Sequence, residues 1–154
     1  MTHVREQIRM TEDEVWAFLG ETPHLHIATL NRDGSPHMVT MRFAVVDRTL
    51  TFHSYAKAQK IVNLERDPRI ALLAEAGDDY EDLRGVSINA RAELVSDVER
   101  VHAHHLAVLR RNTPEIPEDV LDKVSAGMAP KKTAILIRPE KVMSWDHSKL
   151  GGIY

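Results

Sequence analysis

At 154 residues with a formal net charge of −3, the chain is sized for a single domain, 1–154, and is not built to bind nucleic acid through bulk charge. It has no cysteine, which excludes disulfides, thiolate nucleophiles, iron–sulfur clusters and cysteine zinc sites, and fits a reducing compartment. No apolar run suits a membrane span, and the segment Met1 to Met10, with Arg5, Glu6 and Arg9, lacks a secretory hydrophobic region, so a cytoplasmic location is expected.

Thr11-Glu-Asp-Glu14 has the form of a capping box, and Val15, Trp16, Phe18 and Leu19 follow it as an apolar stripe. A helix is predicted from about Thr11 to Gly20. Leu25 to Leu30 has strand composition, and Asn31-Arg-Asp33-Gly34 is a turn signal. Pro36 to Val46 is the second predicted strand, Asp47-Arg48 the next turn, and Thr49 to Ser54 the third strand. A helix from about Lys57 must end before Asp67-Pro68, because proline disfavours a helical residue ahead of it.

Ile70 to Ala74 is an apolar run with the length of a buried strand, Glu75 to Glu81 an acidic loop, and Val86 to Leu94 an alternating fifth strand. Ser96-Asp-Val-Glu99 repeats the capping-box pattern and opens a helix with Val98, Val101, His105, Val108 and Leu109 at helical spacing. Pro114 and Pro117 bracket a loop before a further helix, Glu118 to Ala126. The last strand runs from Thr133 to Ile137 and continues after Pro139 through Val142 and Trp145. Six strands with helices between them predict an α+β fold, and an antiparallel barrel is the natural closure of such a sheet.

The most informative segment is His53-Ser-Tyr-Ala-Lys57-Ala-Gln-Lys60, followed by Ile-Val-Asn63-Leu-Glu-Arg66. It reads as a strand end that delivers a hydroxyl, Ser54, and two lysines to the first turn of a helix. Three residues apart, Lys57 and Lys60 would share one helix face, where free amide hydrogens and the helix dipole add to their charge. That combination suits a phosphate group. A solvated Lys/Arg helix face is the plain alternative on this segment alone.

Nine histidines raise the question of a metal. His24 and His26 alternate on one strand face, and His102 with His105 share a helix face, but no carboxylate–histidine signature such as H-E-x-x-H is present, and no metal is expected. There is no G-x-S-x-G elbow, Ser54 has no base at a recognisable spacing, and neither a Walker loop nor a Rossmann glycine fingerprint occurs. The C-terminal run Ser144-Trp145-Asp146-His147-Ser148-Lys149 sets an aromatic beside charged groups. Trp145 is either core or a lid over something polar.

Taken in order, these residues resemble the pyridoxamine 5′-phosphate oxidase-like superfamily of split β-barrels. The likeness is carried by Leu25 to Leu30, Asp33-Gly-Ser-Pro-His37, Ser54 with Lys57-Ala-Gln-Lys60, Asn63 to Arg69, Gly85-Val-Ser87 and Ser144-Trp-Asp-His147 before Lys149-Leu-Gly151. It spans about Thr11 to Gly152. Within the superfamily the chain looks most like the small deazaflavin (coenzyme F420)-dependent oxidoreductases.

The resemblance implies a six-stranded antiparallel split barrel with peripheral helices and a homodimer with two cofactor sites at the subunit interface. Ser54, Lys57, Gln59 and Lys60 would hold the cofactor phosphate. The ring would lie along His37 to Met41, with main-chain groups of Val39 and Thr40 at its edge. Trp145 and Lys149 would reach the site from the partner or close its rim. The implied activity is hydride transfer between reduced F420 (FMN as the alternative) and a small organic acceptor, with His37 or Tyr55 as candidate proton sources. Because the cofactor supplies the electronic power, no nucleophile is needed. A flavin, deazaflavin or haem carrier without turnover is the second implied reading. The chain lacks the C-terminal arginine-rich segment that pyridoxamine oxidases use for pyridoxal phosphate, so vitamin B6 oxidation is not expected.

Overall fold

The structure is a computed structural model, and it describes residues 3–152. Seven antiparallel strands form one sheet: β1 (Leu25–Leu30), β2 (Pro36–Met41), β3 (Ala44–Val46), β4 (Thr49–Tyr55), β5 (Arg69–Ala76), β6 (Arg84–Val95) and β7 (Lys132–Asp146). Their spatial order is β2-β1-β5-β6-β7-β4-β3. The two edge strands, β2 and β3, are consecutive in the chain and joined only through Arg42 and Phe43. Three residue steps reach about 11 Å. Seven strands laid flat would set their outer edges about 29 Å apart. The sheet therefore curls almost shut, and the split between β2 and β3 is the opening of the barrel.

The seventh strand corrects the expected six. Pro36 to Val46 is broken at Arg42-Phe43, where Phe43 turns wholly into the interior. No glycine or proline marks the break, because barrel closure causes it.

Inward side chains of the strands, including Leu25, Ile27, Leu50, Phe52, Leu72, Val86, Ile88, Ile135 and Ile137, form the main core. Helix α2 (Glu12–Glu21) seals one end with Val15, Phe18 and Leu19; α1 (Val4–Gln7), which nothing in the sequence announced, precedes it. The first capping box forms as read: Glu14 N donates to Thr11 Oγ1 (3.2 Å) and Thr11 N to Glu14 Oε2 (2.6 Å). The second is displaced by one residue. Asp97, not Ser96, caps α4 (Val98–Asn112), accepting from Arg100 N at 3.0 Å. A smaller cluster of Val95, Val101, Ala129, Ala134 and Leu136 fixes α4, and the turn that follows α5 (Glu118–Met128), to the outside of β7.

Arg111, near the end of α4, donates to the carbonyls of Leu19 (3.1 Å), Gly20 (3.1 Å), Thr22 and Phe43 (3.3 Å). Its guanidinium carbon lies 4.1 Å from the centre of the Phe43 ring. One side chain thus ties the end of α2, the β2–β3 break and α4 together. Arg111→Ala is expected to lower stability by about 2 kcal/mol, since it strands several carbonyls. Urea unfolding would show it as a lower midpoint at unchanged slope; a loss below about 0.5 kcal/mol would deny Arg111 this role.

Candidate anion-binding corner and the groups around it

Strand β4 ends at Tyr55, and the chain turns through Ala56 and Lys57 before α3 (Gln59–Arg66) begins. Lys57 therefore precedes the helix and does not share a helical face with Lys60. What replaces that reading is a tighter arrangement. The Lys60 ammonium donates to Ser54 Oγ at 3.1 Å, and Ser54 itself is buried. A hydroxyl that accepts from an ammonium keeps its own O–H free to donate onward. Burial lowers the Lys60 pKa. Ala58, the N-cap of α3, offers no side-chain acceptor, so the first-turn amides of Gln59 and Lys60 lack a side-chain cap. A hydroxyl, an ammonium and uncapped helix amides converge, as an anion requires.

Gln59 reaches along the helix to Asn63. Its amide donates to Asn63 Oδ1 (2.8 Å), and the fully buried Asn63 donates to Thr29 Oγ1 (3.0 Å) and Asn31 Oδ1 (3.0 Å). Thr29 pairs with His37 across β1 and β2. A polar track thus leads from the corner to the start of β2. Along β2, His37, Val39 and Met41 share the half-buried face, while Met38 and Thr40 face out. As an edge strand, β2 leaves one row of backbone N–H and C=O groups without a neighbouring strand.

Trp145 and Lys149 lie elsewhere. Lys132 starts β7 opposite Tyr55, and Trp145, next to its last residue Asp146, lies opposite Gly85, so corner and tryptophan stand at opposite ends of a 15-residue strand. Trp145 lies flat on Gly85, where a Cβ would fall 2.1 Å from the ring; only glycine admits it. Lys149 donates to Arg9 O (2.9 Å) and Glu14 Oε2 (2.6 Å), holding the C-terminal turn to the start of α2. Trp145 lines an apolar cleft of about 1150 Å³ with Met10, Trp16, Ile88, Val142 and Met143. No sequence signal located this cleft, because its walls come from three distant stretches of chain.

The histidines fall into separate roles. The rings of His24 and His26 meet edge to face at 5.8 Å. His53 meets His105 edge to face, ring centres 4.0 Å apart, between β4 and α4, while His102 turns toward α5. Among the described residues no three His, Cys, Asp or Glu side chains converge as a metal would need. His102, Ser125 and Asp122 do have the composition of a hydrolytic triad, with Nδ1–Oγ and Nε2–Oδ1 both 3.0 Å. Ser125, however, is 0% exposed, and its hydroxyl donates to the His102 carbonyl (3.0 Å). It is a clasp between α4 and α5, closed to any substrate.

The fold is an antiparallel split barrel, and Ser54 and Lys60 meet at the corner between β4 and α3. Residues 11–146 match the profile of the family described as pyridoxamine 5′-phosphate oxidase, and the chain belongs to that family of split barrels. It is similar to the crystal structure of a conserved hypothetical protein from Mycobacterium tuberculosis, with 37% identity, 99% of this chain and 95% of that one covered, and a TM-score of 0.91. An F420 reductase matches at 24% identity over 82% of this chain and 93% of its own, with a TM-score of 0.64. The haem storage protein HutZ of Vibrio cholerae matches at 18% over 86% and 94%, with a TM-score of 0.65. The last two likenesses are of fold. No curated protein matches the sequence significantly. No helix among the described residues is long and apolar enough to cross a membrane.

Proposed function

We propose that the protein is an oxidoreductase that uses a deazaflavin coenzyme, F420, with FMN as the alternative, to reduce a small organic acceptor in the cytoplasm. The observation that carries this reading is the Ser54–Lys60 contact beneath the uncapped start of α3. A phosphate fits there: the hydroxyl and ammonium donate to it, Lys57 adds charge from the turn, and Gln59 lies beside them on the polar track. The coenzyme, when bound, supplies hydride chemistry. The chain supplies position. Of the consecutive residues Val39 and Thr40, one turns its backbone N–H and C=O to the free edge of β2, and the inward side chains of that strand, His37 and Met41, offer a surface for a flat ring.

Because Trp145 and Lys149 stand at the far end of β7, they serve the same coenzyme only if they come from a second copy, and a homodimer is part of the proposal. Its support is the outer face of β2, β1, β5, β6 and β7. There Met38 is 66% and Met143 45% exposed, with Ala71 and Thr40 exposed in neighbouring rows. His37, on β2, and Tyr55, at the end of β4, are the side chains proposed to pass a proton.

The test is a titration of purified protein with F420 and with FMN, followed by deazaflavin fluorescence and flavin absorbance. Reduced F420 is then mixed with candidate enones and quinones, and oxidation of the coenzyme is recorded. Micromolar binding with acceptor-dependent oxidation supports the reading. Binding of neither coenzyme removes it, and binding without any turnover leaves a carrier.

A further inference from the structure

Strand β4 accompanies β7 only as far as the Thr51–Leu136 pair, so farther along β7 that side has no neighbouring strand. The chain ahead of α2 closes it again at the far end. Asp146 N donates to Ile8 O (2.7 Å), Met10 N to Ser144 Oγ (3.1 Å) and Lys149 Nζ to Arg9 O (2.9 Å), which pins three consecutive residues to the end of the strand. The apolar cleft of about 1150 Å³ lies along this stretch, walled by β7 on one side and by the start of α2 on the other. Its β7 wall begins at a bulge, where Ala90 pairs with Pro139 and Asn89 with Lys141, leaving Glu140 over.

The cleft joins an aromatic, apolar lining to charge of one sign. Both tryptophans of the chain, Trp16 and Trp145, line it, and Val142 beside them is 47% exposed. Arg5, Arg9 and Lys141 also line it, against one carboxylate, that of Glu12. The carboxylates nearby are already engaged by cations that do not line the cleft. Arg48 holds Glu12 (3.3 Å) and Asp13 (3.1 Å), Lys149 holds Glu14 (2.6 Å), and Arg91 faces Glu140 (3.8 Å). Among the described residues Arg5, Arg9 and Lys141 form no ion pair. Cations around a low-dielectric floor attract an anion, and a guanidinium suits a carboxylate in particular. Indole faces suit a flat ring. The volume slightly exceeds the roughly 300–1,000 Å³ usual for small-ligand pockets.

We infer that the cleft is a binding site for an aromatic carboxylate, with its rings against Trp16, Val142 and Trp145 and its carboxylate held by Arg9 and Lys141. The pinned segment keeps Arg9 in place before the ligand arrives, which lowers the cost of ordering the site. The site asks nothing of the Ser54–Lys60 corner, which stands at the other end of β7.

The purified protein, without coenzyme, is titrated with naphthalene-2-carboxylate and with naphthalene-2-methanol, which keeps the rings and lacks the charge. Calorimetry gives the affinities, and the emission of the two tryptophans, both in the cleft, reports where binding occurs. The carboxylate should bind about tenfold tighter than the alcohol and change the emission. Arg9→Gln combined with Lys141→Gln should weaken the carboxylate about tenfold and the alcohol less than about twofold, as expected for two partly exposed charged contacts. Unchanged alcohol binding verifies that the cleft is intact in the double variant. Lys141→Arg alone should keep the carboxylate's affinity, and Lys60→Gln should alter neither probe. Equal affinities for the two probes, an equal loss of both in the double variant, or binding without an emission response overturns the site. So does failure of both probes to bind, as when a second copy seals the cleft. Competitive displacement of the carboxylate by F420 or FMN would assign the cleft to the coenzyme and overturn the inference as well.

Discussion

Lys57→Ala combined with Lys60→Ala is expected to weaken coenzyme binding by about 2–4 kcal/mol, roughly 30- to 1000-fold, while leaving thermal stability almost unchanged. The two parts of that expectation come from the same geometry. Lys60 is partly buried and touches the buried Ser54 hydroxyl, so most of the loss belongs to it. Lys57 is exposed in the turn, so its single substitution should cost less than about fivefold, as screened surface charges do. Stability should hold or rise slightly, because the charge of Lys60 works against that of Lys132 in the folded protein. Titration calorimetry or fluorescence gives the affinities, and a thermal melt gives the stability. Unchanged affinity in the double variant would place the phosphate elsewhere, and a melting temperature falling in step with affinity would make the lysines structural.

What could be read in the sequence was whatever is local. The Thr11–Glu14 box, the Asp47-Arg48 hairpin turn, with φ of 49° and 55° at its two residues, and the Asp67-Pro68 stop of α3 all declare themselves within a few residues. The errors begin where the barrel decides. Val95 remains paired with Ala134, which holds the chain in the sheet one residue longer and passes the cap from Ser96 to Asp97. The bend at Arg42-Phe43 answers to barrel closure. Lys57 looked helical because three-residue spacing is all that sequence offers, whereas the turn after Tyr55 delays α3 to Gln59. At the site, Ser54 and Lys60 were legible as one motif. Lys132 was not, since only the β4–β7 register brings it there. Trp145 stands out in the sequence as an aromatic among charged groups, yet its distance along β7 from the corner could only come from the topology.

Acid should loosen the same strand that carries the corner. His53 sits beside Ser54 in β4 but faces α4, its ring edge to face with His105 at 4.0 Å, and His105 is 4% exposed; the Nδ1 atoms of both rings are buried without a hydrogen-bond partner. Burial first, then the charges of His105 and Lys132, hold the His53 pKa down to about 3 from its usual 6.5. His105 is lowered as well, by burial and then by Lys132. Between pH 6.5 and 3 the unfolded chain binds a proton at His53 that the folded protein refuses, so stability falls as pH falls through that window. At pH 4.5 this one group should cost about 2–3 kcal/mol relative to pH 7.5. His53→Phe, which cannot take the proton and keeps a ring against His105, should remove that part of the slope. Urea unfolding followed by circular dichroism at pH 7.5 and 4.5 measures it for both proteins. An acid loss as large in the phenylalanine variant as in wild type would assign the sensitivity to other groups. If the loss does diminish, coenzyme binding at pH 5 should be less impaired in the variant too, because β4 presents His53 to one side of the sheet and Ser54 to the other. A proton forced in beneath α4 must then disturb the hydroxyl that meets Lys60.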